Sequence, residues 1–121
     1  MAYTITMPRG DLRHVRFCIL DTAGEISRRE YSEIYFTVKR DARDRTALFQ
    51  RRLSDGGIVP DGDGYYHLSI LPEDTDGLAY GRYVFDIELL DGDALKETPC
   101  VGTLHLTYEV THAGNEVTMD G

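Results

Sequence analysis

The sequence predicts an all-β sandwich of about seven strands, built from two antiparallel sheets, and three observations carry that expectation. Apolar and polar residues alternate one for one over several short runs. Turn residues separate the runs at a spacing of roughly 8–12 residues, and no strongly amphipathic helical stretch interrupts them. The run after Gly81 is the clearest. Tyr83, Phe85, Ile87 and Leu89 fall on one side and Arg82, Asp86 and Glu88 on the other, the period of a sheet with one packed face and one solvated face.

The remaining elements follow along the chain. Tyr3, Ile5 and Met7 alternate with Thr4 and Thr6 until Pro8, Gly10 and Asp11 supply turn chemistry, which defines a short strand suited to a sheet edge. Over residues 12–20, Val15, Phe17 and Ile19 oppose His14, Arg16 and Cys18, and Asp21-Thr22-Ala23-Gly24 ends the run as a tight turn. Ile34, Phe36 and Val38 alternate with Glu33, Tyr35, Thr37 and Lys39; their β-branched and aromatic content fits a pleated surface. Residues 41–57 read two ways. Leu48, Phe49 and Leu53 suit one face of a helix, but the set is short and Gly56-Gly57 follows it, which favours a short edge strand.

Asp61-Gly62-Asp63-Gly64 then turns the chain into a strand whose Tyr66, Leu68 and Ile70 share a face. Asp91-Gly92-Asp93 reads as a hairpin turn into a last strand carrying Leu104, Leu106, Tyr108 and Val110 on one side. Residues 1–111 are thus expected to form the sandwich and residues 112–121, poor in apolar side chains, a loose tail. The expected core is Phe17, Phe36, Leu68, Tyr83, Phe85 and Leu104, with Phe85 packed against Phe17 and Phe36.

Composition narrows the function classes. A chain of 121 residues is of single-domain size, and 41% hydrophobic residues suit a globular fold. Lys and Arg total 13 against 21 Asp and Glu, and the net charge of −8 repels a phosphate backbone, so no nucleic-acid partner is expected. No apolar run of roughly 18 residues offers a membrane span, and the start lacks a basic region followed by an apolar core. A cytoplasmic product without a membrane partner is the expectation. Cys18 and Cys100 are too few for a disulfide framework and read as small buried hydrophobes without a redox role.

The motifs that invite chemistry have plainer readings. Arg9-Gly10-Asp11 has the order of an adhesion tripeptide, yet Gly and Asp at that place suit a turn entering the second strand. Asp61-Gly62-Asp63-Gly64 opens like a calcium loop, but the twelfth position is Pro72 where an EF-hand needs a bidentate Glu. A composite calcium site would need Asp91 and Asp93 to meet that turn, and solvated turns are the simpler reading. His14, His67, His105 and His112 are dispersed, with no zinc spacing to either cysteine. Ser27, Ser32, Ser54 and Ser69 lie outside any nucleophile elbow, and no glycine-rich phosphate loop occurs. Asp86 and Glu88 sit on an outward strand face, where solvation rather than glycosidase-like chemistry is the ordinary role. No catalytic residue, metal or cofactor is expected, and the chain reads as a non-enzyme.

The order around Tyr83 refines the fold class. An acidic-Thr turn, Leu78, Gly81 and then a Tyr entering a strand resemble the tyrosine corner of immunoglobulin-like sandwiches. The chain has no Trp, and Phe85 stands where an antibody domain carries its second bridging cysteine. An antibody-type domain is therefore disfavoured, while a bridge-free immunoglobulin-like sandwich is expected.

Four runs carry a wider resemblance over about residues 3–111: Arg9-Gly10-Asp11, Leu71-Pro72-Glu73-Asp74-Thr75, Gly81-Arg82-Tyr83-Val84-Phe85-Asp86-Ile87-Glu88-Leu89 and Gly102-Thr103-Leu104-His105-Leu106. Together the chain resembles the immunoglobulin-like domains at the start of baseplate and tail proteins from phages and prophages of Gram-positive bacteria. That resemblance implies a non-catalytic structural or assembly protein of a virion, working through self-association at a sheet edge or contact with other virion components. It implies location in the virion when the prophage is active. Within these 121 residues no stretch is long enough for the receptor-binding region that many such proteins append, so host attachment is not part of the expectation. The alternative is a carbohydrate-binding module, for which Tyr31, Tyr35, Tyr65 and Tyr80 are the candidate interaction surface. A sugar site requires those rings on one exposed face.

Overall fold

Eight strands and one helical turn build two facing sheets in the computed structural model, which describes residues 2–92 and 95–108. The strands are β1 (Ala2–Pro8), β2 (Arg13–Cys18), β3 (Glu33–Lys39), β4 (Phe49–Arg52), β5 (Ile58–Pro60), β6 (Tyr65–Ile70), β7 (Gly81–Asp91) and β8 (Leu95–Thr107), with helix α1 (Pro72–Thr75) between β6 and β7. One sheet has the order β1-β8-β7-β3-β4 and the other β2-β6-β5. The chain crosses between the sheets after β1, β2, β4 and β6, an order in which β2, β6 and β5 take the places of strands B, E and D of an immunoglobulin-like sandwich and β3, β7 and β8 those of C, F and G.

Alternation fixes which side faces the core. Ile34, Phe36 and Val38 of β3, Tyr83, Phe85, Ile87 and Leu89 of β7, and Leu104 and Leu106 of β8 are buried. They meet Leu68 and Ile70 of β6 and Ile58 of β5 from the opposite sheet. A one-residue slip in any of these strands would turn its apolar row to solvent, so the pattern also sets register. Phe85 pairs with Gly102 across β7 and β8, and its ring occupies the space a β-carbon on residue 102 would need. Glycine is therefore a packing requirement at that position.

Several expectations need correction. The sandwich is not wholly antiparallel, because β1 pairs with β8 in parallel, Ala2 opposite Val101 through Pro8 opposite Thr107. A hairpin cannot place the first strand beside the last, and the chain bridges the two sheets between them. An eighth strand, β5, escaped notice because three residues ending in Pro60 show too little alternation to detect. The last strand begins earlier than expected and ends at Thr107, leaving Tyr108 77% exposed. A register shift between Ile87 and Leu89 accommodates Pro99, which has no amide to donate. Residues 41–57 resolve toward a strand, as β4 pairs with β3 at the sheet edge. Asp93, Val110, His112 and the expected tail 112–121 lie outside the described residues.

Five of the six expected core residues are buried: Phe36, Leu68, Tyr83, Phe85 and Leu104. Phe17 is the exception. It is only partly buried and stacks on Tyr66 at 5.5 Å, while Phe36 and Phe85 meet each other at 5.4 Å. The reason is positional, since β2 is the last strand of its sheet and no strand among the described residues lies beyond it to cover the ring.

Candidate functional site

The two ends of the fold differ in how they are finished, and the finished one comes first. Tyr83 donates its hydroxyl hydrogen bond to the Ala79 carbonyl at 2.6 Å, the bond that defines a tyrosine corner. Thr75, fully buried at the end of α1, accepts from the Gly10 amide at 2.8 Å. Arg9 donates to the Leu78 carbonyl at 3.2 Å and lies over the Tyr80 ring at 4.2 Å. Tyr108 packs against the same ring at 4.2 Å. Arg9 and Gly10 are thus engaged in the fold, and Arg9-Gly10-Asp11 is not presented as a free tripeptide. Arg51 reinforces this end by pairing with Asp74 in a largely buried ion pair, side chains 16% and 12% exposed, while donating to the Ser69 carbonyl.

The side between β1 and β2 is unfinished. β1 ends one sheet and β2 ends the other, and no described strand joins them. A cleft of about 430 Å³ opens there. Tyr3 and Ile5 of β1 form one lip and Val15, Phe17, Ile19 and Leu20 the other, with Phe36, Phe85, Ile87 and Cys100 at its floor. Tyr3 and Leu20 remain about half exposed, at 48% and 55%. Arg13 reaches from the start of β2 to the Thr6 carbonyl of β1 at 3.4 Å and bounds one end. Burial raises the Cys100 thiol above its ordinary range, and the nearby Asp86 carboxylate adds to that. The thiol is therefore mostly protonated and a poor nucleophile at neutral pH.

A second hollow of about 630 Å³ is lined by Arg28, Arg29, Tyr31, Asp63, Tyr65 and Tyr66 among others. It gathers two of the four candidate tyrosines, but neither offers a bare ring. Tyr31 is only 9% exposed, which corrects its expected place on the surface. Its hydroxyl bonds Ser27 at 3.0 Å, and Arg29 lies over its ring. Arg16 covers Tyr65 at 3.8 Å. Tyr35 sits elsewhere, on the outer face of the larger sheet beneath Arg52, and Tyr80 belongs to the corner. The four rings do not share a face.

The acidic turns are occupied by arginines. Asp61 pairs with Arg16 at 2.8 Å, Asp63 with Arg28 at 3.7 Å and Asp91 with Arg29. Positive φ at Gly62, Asp63 and Gly64 marks the first as a tight turn. His14 bonds Ser69 at 2.9 Å and His67 lies 3.9 Å from Asp61; these two histidines project from the outer side of the smaller sheet. Among the described residues no group of three or more His, Cys, Asp or Glu side chains is placed to hold a metal ion. The Glu33 carboxyl stays below its usual value although burial alone would raise it, because Ser54, Ile34 and Leu53 donate to it. That is a strand-end brace, not a poised acid.

Sequence reasoning missed Tyr3, Ile5, Leu20 and Cys100 as parts of one feature. The signal was present in the alternation of β1, but its partner β8 lies about a hundred positions away, and which edge stays open depends on the order of strands. The described residues form a two-sheet β-sandwich with one open side. The chain matches no family model, and comparison with curated proteins gives no match. No helix among the described residues is long and apolar enough to cross a membrane.

Proposed function

We propose that this chain is a non-catalytic assembly module of phage or prophage origin, serving a baseplate, tail or head-tail structure through protein contacts. The observation that carries the reading is the open side: two strand edges flank an apolar cleft at β1 and β2. An edge strand presents unpaired backbone groups, and an apolar cleft beside it adds area that water solvates poorly, so both favour a protein surface as occupant.

The motifs behind the phage resemblance support it at the level of architecture. Arg9 and Gly10 meet Thr75 and Leu78, and Gly102 makes room for Phe85, so the resembling runs are those that set up the corner and the sheet. Their role in the fold accounts for why they occur together. The covered and dispersed tyrosines favour assembly over a sugar platform, since stacking needs an open ring face.

Sedimentation velocity from micromolar to millimolar protein, alone and with the products of neighbouring genes, tests the reading. Concentration-dependent oligomers or a discrete complex are expected. A monomer under every condition, together with saturable binding to an oligosaccharide panel, would replace it with the carbohydrate reading.

A further inference from the structure

Of the four strand edges, three are blunted. β4 has four residues, β5 has three and ends in Pro60, and the seven residues of β1 end in Pro8. Short length and proline are among the usual means of keeping an edge from pairing. β2 has six residues, no proline and no break in its pairing with β6, from Arg13 opposite Ile70 to Cys18 opposite Tyr65. It also forms one of the two lips of the cleft.

We propose that β2 and this cleft accept an extended, acidic segment of a partner protein, added as a fourth strand to β2-β6-β5. The inference rests on the protein-contact reading above and names the site and the chemistry of its occupant. Backbone groups on the free side of β2 would bond the segment, and its alternate apolar side chains would enter the cleft over Phe17, Phe85 and Cys100. The shape argues for a strand, because the opening follows β2 from Val15 to Cys18 and the chain after it to Leu20, and has room for a few aliphatic side chains.

Two features choose among occupants. A second copy pairing β2 against β2 would direct its own Val15 and Phe17 into its own sandwich and leave the cleft empty. It would also juxtapose two strands that each carry Arg13, His14 and Arg16 and no acid, at a cost from like charge. A segment with acidic residues on its outward side meets those cations favourably. Asp61 already holds Arg16 on one side, so Arg13, exposed and bonded only to the Thr6 carbonyl, is the principal electrostatic contact.

The test uses the full chain and two capped synthetic peptides, one alternating Glu with Val and one alternating Lys with Val. Amide shifts and hydrogen exchange are followed by NMR, with alkylation of Cys100 as a second readout. The acidic peptide is expected to saturate, to shift and protect amides of β2, to slow Cys100 alkylation, and to bind at least about tenfold more tightly than the basic one. R13E should reverse much of that preference while leaving the fold unchanged by circular dichroism. No saturable binding, equal affinity for both peptides, or shifts centred on β4 or β5 would overturn the proposal. So would free-side amides of β2 already protected in the isolated chain: at all concentrations this means the chain covers its own edge, and only at high concentration it means a second copy does. Failure here with oligomers still present by sedimentation would place the contact on another face and leave the protein-contact reading standing.

Discussion

The corner at Thr75 and Tyr83 and the open side at β1 and β2 are made from the same materials, β-strand ends and aromatic rings, yet they are finished in opposite ways. At the corner a hydroxyl meets a carbonyl, a buried threonine meets an amide, and Arg9 caps a tyrosine ring. At the open side Phe17 is half covered, Tyr3 and Leu20 are about half exposed, and two strand edges have no neighbouring strand among the described residues. The contrast teaches that polar satisfaction rather than apolar content marks a completed surface. An end closed by specific hydrogen bonds serves the fold, and an apolar side left without them is where a partner adds most.

Substitutions separate the two regions by magnitude. Tyr83→Ala, which empties a buried ring site and frees the Ala79 carbonyl, is expected to cost about 3–5 kcal/mol in urea unfolding, and Tyr83→Phe only the hydrogen-bond part, about 1–2 kcal/mol. Equal losses for the two would show that the corner bond dominates over ring packing. Thr75→Val keeps the shape but removes the acceptor for Gly10, for an expected loss of about 1–3 kcal/mol. A neutral result would mean that the Gly10 amide finds water instead.

At the open side Phe17→Ala should cost only about 1.5–2.5 kcal/mol, half the value of a fully buried ring. A loss equal to that of Tyr83→Ala would mean the cleft is closed in solution. The smallest effect is on the thiols. Cys100 has its proton affinity raised by burial, so its alkylation should lag behind that of Cys18 near neutral pH and gain on it as the pH rises above the ordinary thiol range. The same shift stabilises the folded chain fully below that range, and the contribution fades as pH climbs through the raised value. Faster alkylation of Cys100 than of Cys18 at neutral pH would contradict its burial.

Much of this fold was legible in the residues, for reasons that differ by element. β3, β6 and β7 declare themselves because one face is packed and the other solvated, so alternation survives in sequence. The corner was legible from Gly81 and Tyr83 because the geometry is local, with hydroxyl and carbonyl four residues apart. β5 and the parallel β1–β8 pairing were not, since three residues carry too little pattern and parallel pairing is decided by contacts between the chain's two ends. Phe17 shows the remaining limit. Its inward side was correctly read, but its depth depends on being in the outermost strand of its sheet. The tyrosines failed differently, because a count of rings says nothing about the arginines that cover them.

Hydrogen exchange of the full, unliganded chain at low concentration is the most direct test of the asymmetry. The account predicts that amides of Ile34, Phe36, Phe85 and Ile87 open only with global unfolding, while alternate amides along β2 exchange nearly as fast as an unstructured peptide. Protection spread evenly over every amide of β2, at the level of β7, would contradict it.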